Sequence, residues 1–272
     1  MNFPREITRS VSYYALFKGW LLLSQPLAIQ PPEGLNAFLL IFCQMNSQFP
    51  SPVALAWSGG KDSMLALHAL RQSGIEVAAL LTTVSSGFGD LERINAHGVR
   101  RELLDAQTRA LNLPVEVARM SPSPSNTDYE ASFGTALQRL QTRGVTVVAA
   151  GDLFLEDVRA YREALLQKFG MTALFPLWES DTTHLAQEFI ALGFEAVLSC
   201  VDTSVLDASF AGRAFDALLL RDLPEGVDPC GENGEFHTFV HNGPGFACPV
   251  ALKRGEVVLR DGRFCFCDLL LG

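Results

Sequence analysis

Two stretches of the chain concentrate residue types that can do chemistry. The first is Ser58-Gly59-Gly60-Lys61-Asp62-Ser63, directly after the apolar run "VALAW" at 53–57. Paired glycines let the backbone turn sharply and present N–H groups with no Cβ in the way. A helix opening just beyond them adds its positive N-terminal end. Ser58 and Ser63 supply hydroxyls, and Lys61 supplies a compact cation. Between a buried strand and a helix, the hexapeptide reads as a phosphate-binding loop rather than a bare turn. It is not a Walker loop, because Leu55 stands where the first Gly is needed and Asp62 follows Gly60-Lys61. Asp62 reads either as the helix N-cap or as a magnesium contact.

The second stretch is "CGENGEFHTFV" (230–240). It sets Glu232, Glu235 and His237 within six residues, with Asn233 between the two acids. Extended backbone would aim Glu235 and His237 to one side, and such groups converging on a cleft could move protons. A solvated turn is the plain alternative.

Stepping outward, apolar runs alternate with helical periodicity. Strands are expected at 53–57, 76–84, 114–120 and 145–152, and helices at 62–74, 95–113, 128–144 and 154–171. Strand–helix alternation with short links predicts an α/β fold with a doubly wound parallel sheet. Ligands of such sheets sit at the carboxyl ends of the strands. Asp152 stands at such an end, with the N-cap of the next helix as its other reading. Arg159 and Arg162 lie about one turn apart on that helix and can share a face. Past residue 176 the texture changes to a helix at 181–193, a strand at 195–201 ending at Asp202, a loop rich in Gly, Pro and Asp at 223–246, and a hairpin turning at Asp261-Gly262. Three segments follow: an N-terminal extension at 1–44, a nucleotide domain at 45–175, and a smaller mixed α+β domain at 176–272. Trp57 and Trp178 read as packing.

The 272 residues are 48% hydrophobic and 19% charged, with a formal charge of −9, which excludes disorder and disfavours a broad nucleic-acid surface. Six cysteines with no C-x-x-C argue for thiols in a reducing cytoplasm, with Cys265 and Cys267 on one face of a strand. The apolar stretch "YYALFKGWLLL" is broken by Lys18 and too short to cross a bilayer.

"SGGKDS" resembles the PP-loop of the ATP pyrophosphatases. "GDLFLEDVRAYRE", "LFPLW", "LSCVD" and above all "CGENGEFHTFV" are similar to the diphthine–ammonia ligase branch of that superfamily. The resemblance runs from about residue 53 to the end. It implies a Rossmann-like sheet of the adenine nucleotide alpha hydrolase type and cleavage of ATP between its α and β phosphates. A carboxylate acceptor is adenylated, and ammonia then displaces AMP.

On that resemblance Ser58, Gly59, Gly60, Lys61, Asp62 and Ser63 would hold the pyrophosphate, with Thr82, Thr83 and His97 near the nucleotide. Lys61, Asp152, Glu232, Glu235 and His237 would be catalytic. Arg159 and Arg162 would clamp the acceptor's anionic group or the pyrophosphate, with a solvated basic face as the other reading for one of them. Asp202 and Asn233 would face the acceptor, and Asp62 and Asp152 would contact Mg2+. The loop departs from the Gly-Glu-Gly-Gly-Glu-Tyr-Glu-Thr form of the diphthamide enzymes, which leaves the acceptor open, as a small molecule or a protein. A homodimer is also left open. The competing readings are an adenine-nucleotide sensor without turnover and a PP-loop enzyme of tRNA modification.

Overall fold

The computed structural model describes residues 52–272, apart from 89–90, 95–96 and 122–124. The expected extension at 1–44 lies outside the described residues. The first half builds β1 (Val53–Ala56), α1 (Lys61–Gln72), β2 (Val77–Phe88), β3 (Leu91–Ile94), α2 (Arg101–Ala110), β4 (Val115–Met120), α3 (Asn126–Gln141), β5 (Val147–Ala149), α4 (Glu156–Lys168) and β6 (Thr172–Leu174). β1 lies between β2 and β5, β4 pairs with β2, and β6 with β5, all in parallel. The far end of β2 folds back antiparallel on β3, so the six-stranded sheet is mixed but mostly parallel.

Strands so short must be apolar on both faces, and β1 is: Val53, Ala54 and Leu55 are fully buried. On one side Met64 and Leu67 of α1 join Leu103 and Leu104 of α2 in a core with Leu55. On the other, Phe133 and Leu137 of α3 and Leu165 and Leu166 of α4 pack over Ala54 and Val148. α3 opens on a capping box, in which the Ser125 hydroxyl accepts from the Asp128 N–H and the Asp128 carboxylate accepts from the Ser125 N–H.

The second half adds α5 (Thr182–Ala191), β7 (Glu195–Asp202), a 3-10 turn at Ala208–Phe210, α6 (Ala217–Asp222), β8 (Phe236–Asn242), β9 (Leu252–Arg260) and β10 (Phe264–Leu271). The last four strands form an antiparallel sheet ordered β8-β7-β10-β9. Asp261 and Gly262 both take positive φ at the β9–β10 turn, as a tight hairpin requires. Cys265 and Cys267 face the core together, at 3% and 5% exposure. Phe189, Val197 and Phe239 continue the core begun by α1 and α2, so one apolar body joins the two sheets.

Three differences from the sequence reading matter. β3 and the outer half of β2 form an arm that the 76–84 strand did not include. The second helix starts at Arg101, not at 95, which leaves His97 in the connection after β3. β8 lies inside the segment read as loop, because its alternating buried residues Phe236 and Thr238 are hidden among turn formers.

Candidate active site

A cleft of about 440 Å³ opens at the carboxyl ends of β1 and β5 and beside the middle of β2. Its walls include Ser58 and Asp62 of the glycine loop, Thr82 and Thr83 of β2, His97, Asp152, Arg162, and Glu232 and His237 from the second half. The two quoted stretches, far apart in the chain, therefore meet, with Lys61 touching Cys230 across a separation of 169 residues.

The glycine loop is built by strain and by close approach. Gly59 takes φ +79°, a conformation costly for other residues. A Cβ on Gly60 would stand 2.9 Å from His97 Cε1 and 2.9 Å from the Thr238 carbonyl oxygen. The second half clamps this loop directly. The Lys61 N–H donates to Thr238 Oγ1 at 3.0 Å, and the Val240 N–H donates to the Gly59 carbonyl at 2.9 Å. The loop also helps itself, since the Gly60 N–H donates to Ser58 Oγ and the Ser63 hydroxyl to the Gly60 carbonyl.

Gln107, on the buried face of α2, holds the same junction. Its side chain is fully buried. It donates to the Gly59 carbonyl at 2.9 Å and the Val240 carbonyl at 2.6 Å, and accepts from Trp57 Nε1 at 2.9 Å. A glutamine on an amphipathic helix carries no sequence signal of this role, and neither does Thr238. Gly151 is a further residue missed: a Cβ there would lie 2.7 Å from the Asp62 carbonyl oxygen, so only Gly lets the end of β5 approach the start of α1.

The acidic residues divide sharply. Glu232 is half-buried and accepts from the Leu153 N–H at 2.8 Å. Burial, with the nearby Asp62 and Asp152 carboxylates adding to it, pushes its carboxyl up to about 7, against the pull of Lys61 and the Leu153 N–H. That suits proton transfer near neutrality. His97 and His237 lie with ring centroids 4.6 Å apart. Burial lowers them to about 4 and about 3, so both imidazoles are neutral at pH 7. His97 Nδ1 is 3.0 Å from the Thr238 carbonyl, which fixes its proton on that nitrogen.

Several expectations are corrected. Asp62 does not cap α1; Gly60 does, and Asp62 is already the second residue of the helix. Lys61 borders the cleft, but the residue is 2% exposed and its Nζ is held by Asp62, at 2.7 and 2.9 Å, and by the Cys230 carbonyl. Asp152 is no N-cap either, since Leu155 holds that position before α4. Its carboxylate takes two hydrogen bonds from Arg162, at 2.5 and 3.2 Å.

Arg159 turns away from the cleft, paired with Glu163 at 2.9 Å and stacked over Phe175 and Trp178. Glu235 is buried outside the cleft lining, because the strand proper starts at Phe236 and the residue accepts from the Asp228 N–H and Asn233. Asn233 therefore braces Glu235 instead of facing an acceptor. Asp202 is not among the residues lining the cleft: its carboxylate is held by Arg263 and Ser204 at the end of β7, and lies below the usual range chiefly because of the Arg263 hydrogen bonds. Among the described residues no cluster of three or more metal-binding side chains occurs, and no helix is long and apolar enough to cross a membrane.

Fold and cleft together define a Rossmann-like α/β protein whose glycine loop is roofed by a second, antiparallel sheet. Residues 51–173 match the family model for the diphthamide synthase N-terminal domain, and residues 181–266 match that for the diphthamide synthase C-terminal domain. The chain belongs to this family, the diphthine–ammonia ligase branch of the PP-loop superfamily. It is 26% identical over 226 residues to the diphthine–ammonia ligase of Schizosaccharomyces pombe, covering 77% of this chain and 37% of that protein. Against the diphthine–ammonia ligase of Bos taurus the identity is 25% over 225 residues, covering 76% of this chain and 84% of the relative. With that of Danio rerio it is 26% over 222 residues, or 75% and 87% of the two chains.

Proposed function

We propose that the protein is an ATP-dependent amide ligase that adenylates a carboxylate and then transfers ammonia to it. The observation that carries this reading is the glycine loop at the head of β1, clamped by β8 and facing the half-buried Glu232 across one cleft. The relatives named diphthine–ammonia ligase support the same reaction class.

In this reading an acceptor carboxylate oxygen attacks the α-phosphorus of ATP. The bond to the β-phosphate oxygen breaks, and pyrophosphate leaves. The start of α1 faces the departing negative charge, with the Ser58 hydroxyl beside it. Gly at position 60 lets the loop pack directly against His97 and the Thr238 carbonyl. Thr82 and Thr83, midway along β2, flank the nucleotide. Ammonia then attacks the acyl carbon, and AMP leaves with its bonding electrons. Glu232, titrating near 7, takes the proton that the nitrogen loses. Arg162, anchored by Asp152, presents its remaining N–H groups to the acceptor or to phosphate.

The neutral His237 and His97 line the wall opposite and exclude water. Asp62 and Asp152 suit a Mg2+ carried in on the nucleotide, which keeps most of its waters and needs only one or two carboxylates. It would neutralise charge on the phosphates. We further place the nucleotide domain at 45–175 and the acceptor domain at 176–272, in a cytoplasmic protein.

Pyrophosphate exchange tests the first half-reaction. Labelled pyrophosphate should enter ATP when a fraction of cell extract containing the acceptor is present, without ammonium. Exchange absent from every fraction, small-molecule and protein alike, would refute adenylation.

A further inference from the structure

We propose that Lys61 is a positioning residue: its buried ammonium ties the 228–235 loop onto the glycine loop, and so holds Glu232 at the cleft instead of contacting phosphate. The inference rests on the reading of the cleft given above, and it names how the two halves of the site are coupled.

An ammonium has three N–H groups, and Lys61 has three acceptors for them: the two Asp62 oxygens, at 2.7 and 2.9 Å, and the Cys230 carbonyl. Nothing is left over for a phosphate. The Phe215 and Phe236 rings lie 5.9 and 5.6 Å from Nζ. Swinging out to a ligand would leave the Cys230 carbonyl bare, a costly state for a buried polar group.

The loop so held is stiff. The Cys230 and Glu232 N–H groups both donate to Asp228 Oδ1, at 2.9 and 3.1 Å, and the Gly231 N–H donates to the Asp228 carbonyl. The Cys230 thiol points to the Thr182 carbonyl at 3.3 Å. A clamp at the Cys230 carbonyl therefore fixes the backbone two residues before Glu232. Asp62 on α1, Asp152 after β5, Arg162 on α4, Asp228 in the loop, and His97 and His237 above are the ionisable groups around this junction. Among them only Asp62 touches the ammonium.

Lys61→Met keeps the apolar stem and removes the charge. The readout is alkylation of cysteines, resolved by peptide mass spectrometry without any nucleotide. Cys230 is 1% exposed, and Cys200 and Cys265, at 1% and 3%, report global unfolding in the same tube. The variant should label Cys230 roughly ten-fold faster or more, the scale of one lost charge-assisted hydrogen bond, while Cys200 and Cys265 stay protected. Cys230 remaining as protected as in the parent would overturn the proposal. A second measurement uses the unaltered protein: saturating ATP should leave Cys230 protection unchanged, and deprotection by ATP would show Lys61 moving to the nucleotide. Where turnover is measured, the variant should lose kcat while its ATP dissociation constant stays within about three-fold, less than one charged hydrogen bond is worth; lost ATP affinity with a protected Cys230 would make Lys61 a phosphate ligand. The labelling needs no activity, so it stands or falls separately from the ligase reading.

Discussion

Replacing Glu232 by Gln isolates the ionisation at the centre of the cleft. Gln keeps the shape and the acceptor for the Leu153 N–H, but it cannot ionise. The Glu232 carboxyl titrates at about 7 in the fold, against 4.5 when unperturbed. The sign follows from which state holds the proton more tightly. Below pH 4.5 both folded and unfolded chains carry it, and the stability it contributes is fully present. As the pH rises, the unfolded chain ionises first, and that contribution is lost by the time the pH passes about 7. At about 1.4 kcal/mol per factor of ten, the gap corresponds to at most about 3 kcal/mol. Solvent reaches part of the side chain, which screens the effect to about 1–2 kcal/mol.

The assay is urea unfolding of both proteins from pH 5 to pH 8. The Gln variant should gain on its parent by that amount across the interval and hold the gain above it. Parallel stability curves would refute the raised proton affinity, and with it the case for Glu232 as the base. In turnover, the ammonia-transfer step should show an inflection near pH 7 that the variant lacks.

Three further outcomes follow from the geometry. Gly60→Ala forces a Cβ to 2.9 Å from His97 and from the Thr238 carbonyl; calorimetry should show at least about ten-fold weaker ATP binding, with about 1–3 kcal/mol of stability lost to overpacking. Gln107→Leu strands the Trp57 indole N–H, along with a lone pair on each of two carbonyls, and thermal melts should register a loss of about 2–4 kcal/mol. Asp202→Asn should leave ATP cleavage unaltered, since its partners are Arg263 and Ser204 at the end of β7; a slowed reaction in a steady-state assay would return Asp202 to the site.

The parts of the molecule written in local pattern were legible from the sequence. Apolar runs with helical links gave the parallel core, and "SGGKDS" gave its own place at the head of β1. What the chain hid were relations across distance. β8 was lost among Gly and Asn because its pairing with β7, and not its own propensity, makes it a strand. Gln107 and Thr238 have ordinary residue types, and their roles exist only where α2 and β8 meet the glycine loop. Asp202 and Arg159 carried a charge at a plausible position, but each had a nearer partner, in Arg263 and Glu163. Lys61 is the opposite case: a lysine in a phosphate loop suggests a ligand, and the sequence does not reveal the three protein acceptors around it.

The central claim is cleavage of ATP between its α and β phosphates, coupled to amide formation. It is tested most directly by supplying α-labelled ATP, Mg2+ and ammonium to the purified protein, with and without a cell extract that retains small molecules and proteins. The account predicts labelled AMP only when the extract is present, in an amount matching the amide formed. Labelled ADP, or AMP formed equally without any acceptor, would contradict it.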